Sequence, residues 1–167
     1  MEADELTLLK NVFRKLDRSR TGMLGNSDLL GVINRLGKST SKELLDNMIW
    51  EIDSDGDGKI TVDDLVDIFV RVRQNPLSAE PTRLLNVFEF LMHDTDDTQT
   101  ISVEQCVLVL SRRFSREITQ ADIHHFMVDI SSTADPTTSP ITYPEFLRQL
   151  EIARMLRFSS TSTKGGK

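Results

Sequence analysis

A four-fold repeat constrains the fold of this chain more than any single residue does. Four times, apolar residues at helical spacing run into a polar stretch, then one aliphatic residue, then a second helical pattern. The four aliphatic residues are Leu24, Ile60, Ile101 and Ile141, spaced 36, 41 and 40 residues apart by the differences of their numbers. Self-similarity of this kind means that one supersecondary unit is used repeatedly. The unit here is a helix, a loop of about a dozen residues, and a second helix. Leu6, Leu9, Phe13 and Leu16 recur at steps of three and four, and Leu45, Ile49 and Ile52 share one helix face. Leu85, Phe88 and Met92 predict a fifth helix, and Ile123, Phe126, Met127 and Ile130 a seventh. Thr40 with Glu43, and Thr119 with Asp122, have the spacing of capping boxes. The expected class is all-α, with about eight helices from the repeat.

The organisation follows from the breaks. Pro76 and Pro81 bracket Leu77–Glu80, where a continuous helix does not run easily. This predicts a lobe over residues 1–75, a linker over 76–81 and a second lobe over 82–158. The last stretch, 159–167, is Ser, Thr, Gly and Lys without an apolar face, and reads as a disordered tail.

The second loop carries the chemistry. It reads Asp53-Ser-Asp-Gly-Asp-Gly-Lys-Ile-Thr-Val-Asp-Asp64. Calcium is a hard cation that takes six to eight oxygens. Asp53, Asp55 and Asp57 stand at positions 1, 3 and 5, so three carboxylates are directed at one point. Gly58 at position 6 permits a sharp turn, Lys59 offers its backbone carbonyl, and Thr61 at position 9 binds directly or through water. Ile60 is placed for a short β-bridge to a partner loop. Asp64 closes the loop at position 12, where the usual residue is a bidentate Glu. Asp is one methylene shorter, which predicts a weakened calcium site in competition with magnesium.

On these residues the chain resembles the EF-hand superfamily, and Leu45–Asp64 with its flank is similar to the second hand of calmodulin. The repeat extends the resemblance over Glu5–Phe158. The resemblance implies two lobes, each a pair of hands joined by a tiny two-strand β-bridge. It also implies that the protein binds an amphipathic helix of a protein target in an apolar groove. The other loops depart from the pattern. The first, Asp17–Asp28, keeps Asp17 and Gly22 but has Ser19 and Thr21 for carboxylates, and Gly25 has no side chain. The third, Asp94–Gln105, has Gln99 for the turn glycine and Gln105 for the closing acid. The fourth, Ser131–Glu145, is three residues longer than the usual twelve and holds Pro136 and Pro140. One metal site out of four is therefore expected.

A chain with one such site is similar to myosin light chains and to cytoskeletal or axonemal EF-hand proteins, which keep the fold as permanent binding subunits. The expected role is such a subunit, with a cytoskeletal or motor protein as partner; the alternative is a reversible calcium sensor of calmodulin type. Trp50, just before the metal loop, is expected to point outward or to the rim, either folded over local apolar surface or as a partner contact. Met48 and Met127 fall where soft groove methionines serve the family. His93, His124 and His125 have no chelating spacing. Arg112, Arg113 and Arg116 form a local basic cluster. Cys106 stands where the repeat calls for a core residue.

Bulk properties bound the rest. A net charge of −6 disfavours nucleic acid or an anionic membrane as partner. One cysteine excludes an internal disulfide and suits a reducing compartment. The opening residues Met1–Glu5 are acidic, unlike a secretory leader. No stretch reaches the ~18 apolar residues of a membrane span. The expected location is cytoplasmic, at the cytoskeleton or a flagellar axoneme. Nucleophile elbows, phosphate loops and zinc motifs are missing from the sequence, so an enzyme is not expected.

Overall fold

The computed structural model describes residues 3–75, 83–114 and 140–161, with side chains described up to residue 155. Among them are seven helices: α1 (Ala3–Leu16), α2 (Asn26–Arg35), α3 (Lys42–Trp50), α4 (Val62–Gln74), α5 (Arg83–Leu91), α6 (Val103–Phe114) and α7 (Tyr143–Thr161). Two short strands accompany them, β1 (Thr100–Ile101) and β2 (Ile141–Thr142). The chain groups into two compact units, Met1–Gln99 and Thr100–Lys167. The expected linker at 76–81 lies outside the described residues, and α5, which follows it, packs with the first unit. The helix expected over Ile123–Ile130, with Met127, His124 and His125, also lies outside them, as do the Thr119–Asp122 box, Arg116 and most of the fourth loop.

In the first unit, α1 and α2 flank the first loop, and α3 and α4 flank the second. α2 packs on α3 and α1 on α4. The two loops meet where Leu24 and Ile60 exchange paired backbone hydrogen bonds, each 2.9 Å long. Leu9, Phe13, Leu29, Ile33, Leu45, Ile49, Leu65, Ile68 and Phe69 fill the space beneath them. Each is an apolar side chain at helical spacing, and its full burial stabilises by about 1.5–3 kcal/mol. Arg73 on α4 ties to Glu5 on α1 at 2.5 Å and lies over the Phe69 ring at 5.8 Å.

The start of α3 differs from expectation. Its cap is Ser41, whose hydroxyl accepts from the Leu44 amide at 3.2 Å, not Thr40 paired with Glu43. Thr40 is buried, with its amide donating to Asn34 and its hydroxyl donating to the Lys38 carbonyl. The link from Asn34 thus claims Thr40 for the preceding turn, and the extended cap conformation falls one residue later.

In the second unit, β1 and β2 pair antiparallel, with Thr100 opposite Thr142 and Ile101 opposite Ile141. α6 packs on α7. Val109, Leu110, Phe146 and Leu150 are buried there, and the Tyr143 and Phe146 rings lie 6.3 Å apart. Cys106 is buried among them, and burial pushes its thiol up to about 12. It is an inert core residue at any physiological pH. No helix among the described residues is long and apolar enough to cross a membrane.

Candidate metal centre

The loop between α3 and α4 brings three carboxylates together. Ligand oxygens of Asp53, Asp55 and Asp57 all lie within 4.8 Å of one another. No other such cluster occurs among the described residues. The backbone explains the convergence. Gly56 and Gly58 sit at φ +74° and +81°, left-handed conformations that cost a side-chain-bearing residue energy. This folding aims the amides of Gly56 and Gly58 at the Asp53 carboxylate, at 2.9 and 2.7 Å. Asp55 accepts from the Asp57 amide at 3.2 Å, and Asp57 from the Lys59 amide at 2.9 Å. Partial burial works to raise the Asp53 pKa, but the Gly58 and Gly56 amides outweigh it and hold the group below the ordinary carboxylate value.

Asp64 does not join this group. One of its oxygens accepts from the Ser54 hydroxyl at 2.5 Å. The other accepts from the Thr61 amide and hydroxyl at 2.8 and 2.7 Å. Thr61 in turn accepts from the Asp64 amide at 3.2 Å, completing a reciprocal cap on α4. Burial works to raise the Asp64 pKa, and the Ser54 and Thr61 bonds carry it below the ordinary value instead. The Thr61 and Asp64 side chains are thus committed to capping α4.

One half of this cap, a closing side chain that accepts the amide three residues before it, recurs at the other three loop ends. The Gly25 amide donates to Asp28 at 2.9 Å, the Ser102 amide to Gln105 at 2.7 Å, and the Thr142 amide to Glu145 at 2.8 Å. The closing residue of the loop caps the exiting helix whatever its charge. The sequence reading assigned position 12 to the metal alone and missed its cap, although the spacing of Thr61 and Asp64 is itself a capping signal.

The first and third loops keep the backbone and change the side chains. Arg20 and Gly22 are left-handed at φ +57° and +76°, and Asp97 and Gln99 at +58° and +62°. Asp17 accepts from the Gly22 amide at 2.7 Å and from the Ser19 hydroxyl and Thr21 amide, both at 3.1 Å. Burial opposes these bonds, yet they hold the Asp17 carboxyl below its ordinary pKa. Asp94 is raised instead: burial is the main cause, Asp97 and Asp96 add to it, and the Gln99 and Thr98 amides offset it only in part.

Of the candidate partner residues, Trp50 stands 75% exposed at the end of α3, the largest apolar side chain so exposed among the described residues. Met48 is buried in the core.

Two helix–loop–helix units bridged at their eighth loop positions, one with a cage of carboxylates, define a paired-hand divalent-cation protein. Comparison with known proteins agrees. Residues 7–70 match the EF-hand domain pair family. A putative calmodulin-like protein 6 from Oryza sativa is 26% identical over 149 residues, 89% of this chain and 84% of that protein. A calcium-binding allergen of Olea europaea, Ole e 8, is 28% identical over 144 residues, 85% of this chain and 80% of that protein. Troponin C isoform 2 of Caenorhabditis elegans is 37% identical over 60 residues, 36% of this chain and 38% of that protein. Residues 7–70 thus form an EF-hand domain pair, and over most of its length the chain is similar to calmodulin-like and calcium-binding proteins.

The donor set fits the ion. Three carboxylates with backbone oxygens are hard donors suited to calcium or magnesium. Asp53, Asp55 and Asp57 would hold the cation, with the Lys59 carbonyl beside them. The bound ion would supply the positive charge that these clustered acids lack.

Proposed function

We propose that this protein is a target-binding subunit of light-chain, cytoskeletal or axonemal type, with one modulatory divalent-metal site at Asp53–Asp64. The observation that carries the reading is that, among the described residues, one carboxylate cage stands beside two loops of the same backbone that lack it. A protein that keeps the hands while losing most ligands holds its partner by packing more than by calcium. The engagement of Asp64 with Ser54 and Thr61 supports a weak site with magnesium as competitor, because two-oxygen binding by Asp64 would break those bonds. The partner class that suits an acidic chain is a basic amphipathic helix, with the exposed Trp50 as a contact, in the cytoplasm. Met127 belongs to the same proposed contact set.

The second reading is a reversible sensor of calmodulin type. It is favoured by the position of Trp50 three residues before Asp53, where metal loading and partner contact meet. One experiment separates the two. Partners are captured on the immobilised protein in calcium and in chelator, while calcium titrations with and without millimolar magnesium are followed by Trp50 fluorescence. A partner retained in chelator supports the subunit. Release in chelator, with a fluorescence response that survives magnesium, supports the sensor and overturns the subunit.

A further inference from the structure

We propose that α5 is a resident ligand of the first hand pair, filling in cis the apolar face on which a target helix would dock. A pair of hands is complete with four helices and its bridged loops, and here α1–α4 with Leu24 and Ile60 supply all of these. α5 is a fifth helix laid on that pair. It packs against α1, α3 and α4, so it touches helices of both hands. It buries Leu84, Leu85, Val87, Phe88 and Phe90, and a helix apolar on most of its sides is one that has been covered. At its C-terminal end Leu91 lines a cavity of about 340 Å³ with Val12 and Leu16 of α1, Val32 of α2 and Leu36 directly after it, and with charged groups that include Lys15 and Asp97. Val12, Leu16, Val32 and Leu36 belong to the first hand, and the reach of α5 to the second hand rests on its packing against α3 and α4.

Charged groups hold α5 there. Arg73 of α4, paired with Glu5 of α1, also lies 4.0 Å from Glu89 of α5, and both carboxylates are buried. At the other end Arg83 of α5 pairs with Glu51 directly after α3. A foreign helix binding this face must displace α5 and give up both ties. Its apparent affinity falls by the fraction of molecules in which α5 is released. The regulatory consequence rests on the target-helix reading above; the occupancy itself does not.

The test uses the full chain and the double variant Arg83→Glu/Glu89→Gln, which cuts the ties of α5 and leaves the Arg73–Glu5 pair in place. Hydrogen exchange at Leu84–Leu91 should accelerate by about tenfold in the variant while α1 and α4 amides stay within about twofold. The apolar dye anilinonaphthalene sulfonate should brighten severalfold as the face is uncovered. Equal acceleration of α1 and α4, or a loosened α5 without a gain in dye, would show α5 to be ordinary core and overturn the proposal. Should the double variant fail to fold, Arg83→Glu alone, at an exposed pair, is read in the same way. A synthetic amphipathic helix of leucine and lysine is then titrated. Binding about tenfold tighter to the variant, with α5 deprotected as the peptide binds wild type, supports displacement. Equal binding with α5 protected throughout overturns the proposal and leaves the target reading standing. Failure of the peptide on both proteins, with the exchange and dye changes present, supports the occupancy and sinks the target reading.

Discussion

The first and second loops of the first unit are the same backbone put to two uses. Both are left-handed at positions 4 and 6, both have an Asp at position 1 accepting the position-6 amide at 2.7 Å, and they share the Leu24–Ile60 bridge. They differ at positions 3 and 5. In the first loop the hydroxyls of Ser19 and Thr21 turn inward on Asp17 and supply neutral donors to its charge. In the second, Asp55 and Asp57 bring two further carboxylates to Asp53, whose own charge the Gly56 and Gly58 amides hold, and the three together suit a cation. The loop shape is therefore set by the position-1 carboxylate, the left-handed residues and the helix cap. Metal binding is a separate property carried by two side chains.

The sharpest way to break this comparison is Asp53→Ala, which should weaken calcium binding by more than about 100-fold, read by calorimetry and by loss of the Trp50 signal. The reverse experiment installs Ser19→Asp and Thr21→Asp in the first loop. The shared backbone predicts a second site of roughly millimolar to ten-micromolar affinity, with stoichiometry rising from one to two. Unchanged stoichiometry would mean that loop shape is not enough. Asp64→Glu should tighten calcium by about tenfold and leave magnesium almost unmoved, because the longer acid reaches a six-to-eight-coordinate ion with both oxygens.

Smaller effects probe the backbone. Gly58→Ala meets no atom within 4 Å, so its cost of about 1 kcal/mol in denaturant melts comes from φ alone. Gln99→Gly in the third loop should stabilise by roughly the same amount, since it relieves a left-handed residue. The smallest effects are those of pH. Asp17 is lowered from 3.8, so its contribution is present above that value and is lost as pH falls through the folded-state pKa. Asp94 is raised from 3.8, so ionising it costs stability as pH rises through its folded-state pKa. Asp17→Asn should lower the melting temperature at pH 7 and have no effect in acid. Asp94→Asn should raise it at pH 7, with the gain fading in acid.

Much of this was open to reading from the residues. The Asp53, Asp55, Asp57 spacing sits on one short loop, and its geometry depends on Gly56 and Gly58 inside the same twelve residues. The outward Trp50 followed from the inward Ile49 and Ile52, and the buried Cys106 from its place in the repeat. The cap of α3 was misplaced by one residue because Thr40 is claimed by Asn34, six residues earlier, and helix-start spacing does not see that bond. The second bond of Asp64, to Ser54, was equally hidden, since both residues have other plausible partners in isolation.

The sequence by itself determined the helices, the all-α class and the one loop that keeps its acids, because each is a matter of residues a few positions apart, and the recurrence of the pattern every 36 to 41 residues marked the four units. Only the tertiary structure decided where α5 lies. Its apolar residues specify burial without saying against which hands. Glu5, Arg73 and Glu89 are far apart in the chain and meet there only once α1, α4 and α5 have packed.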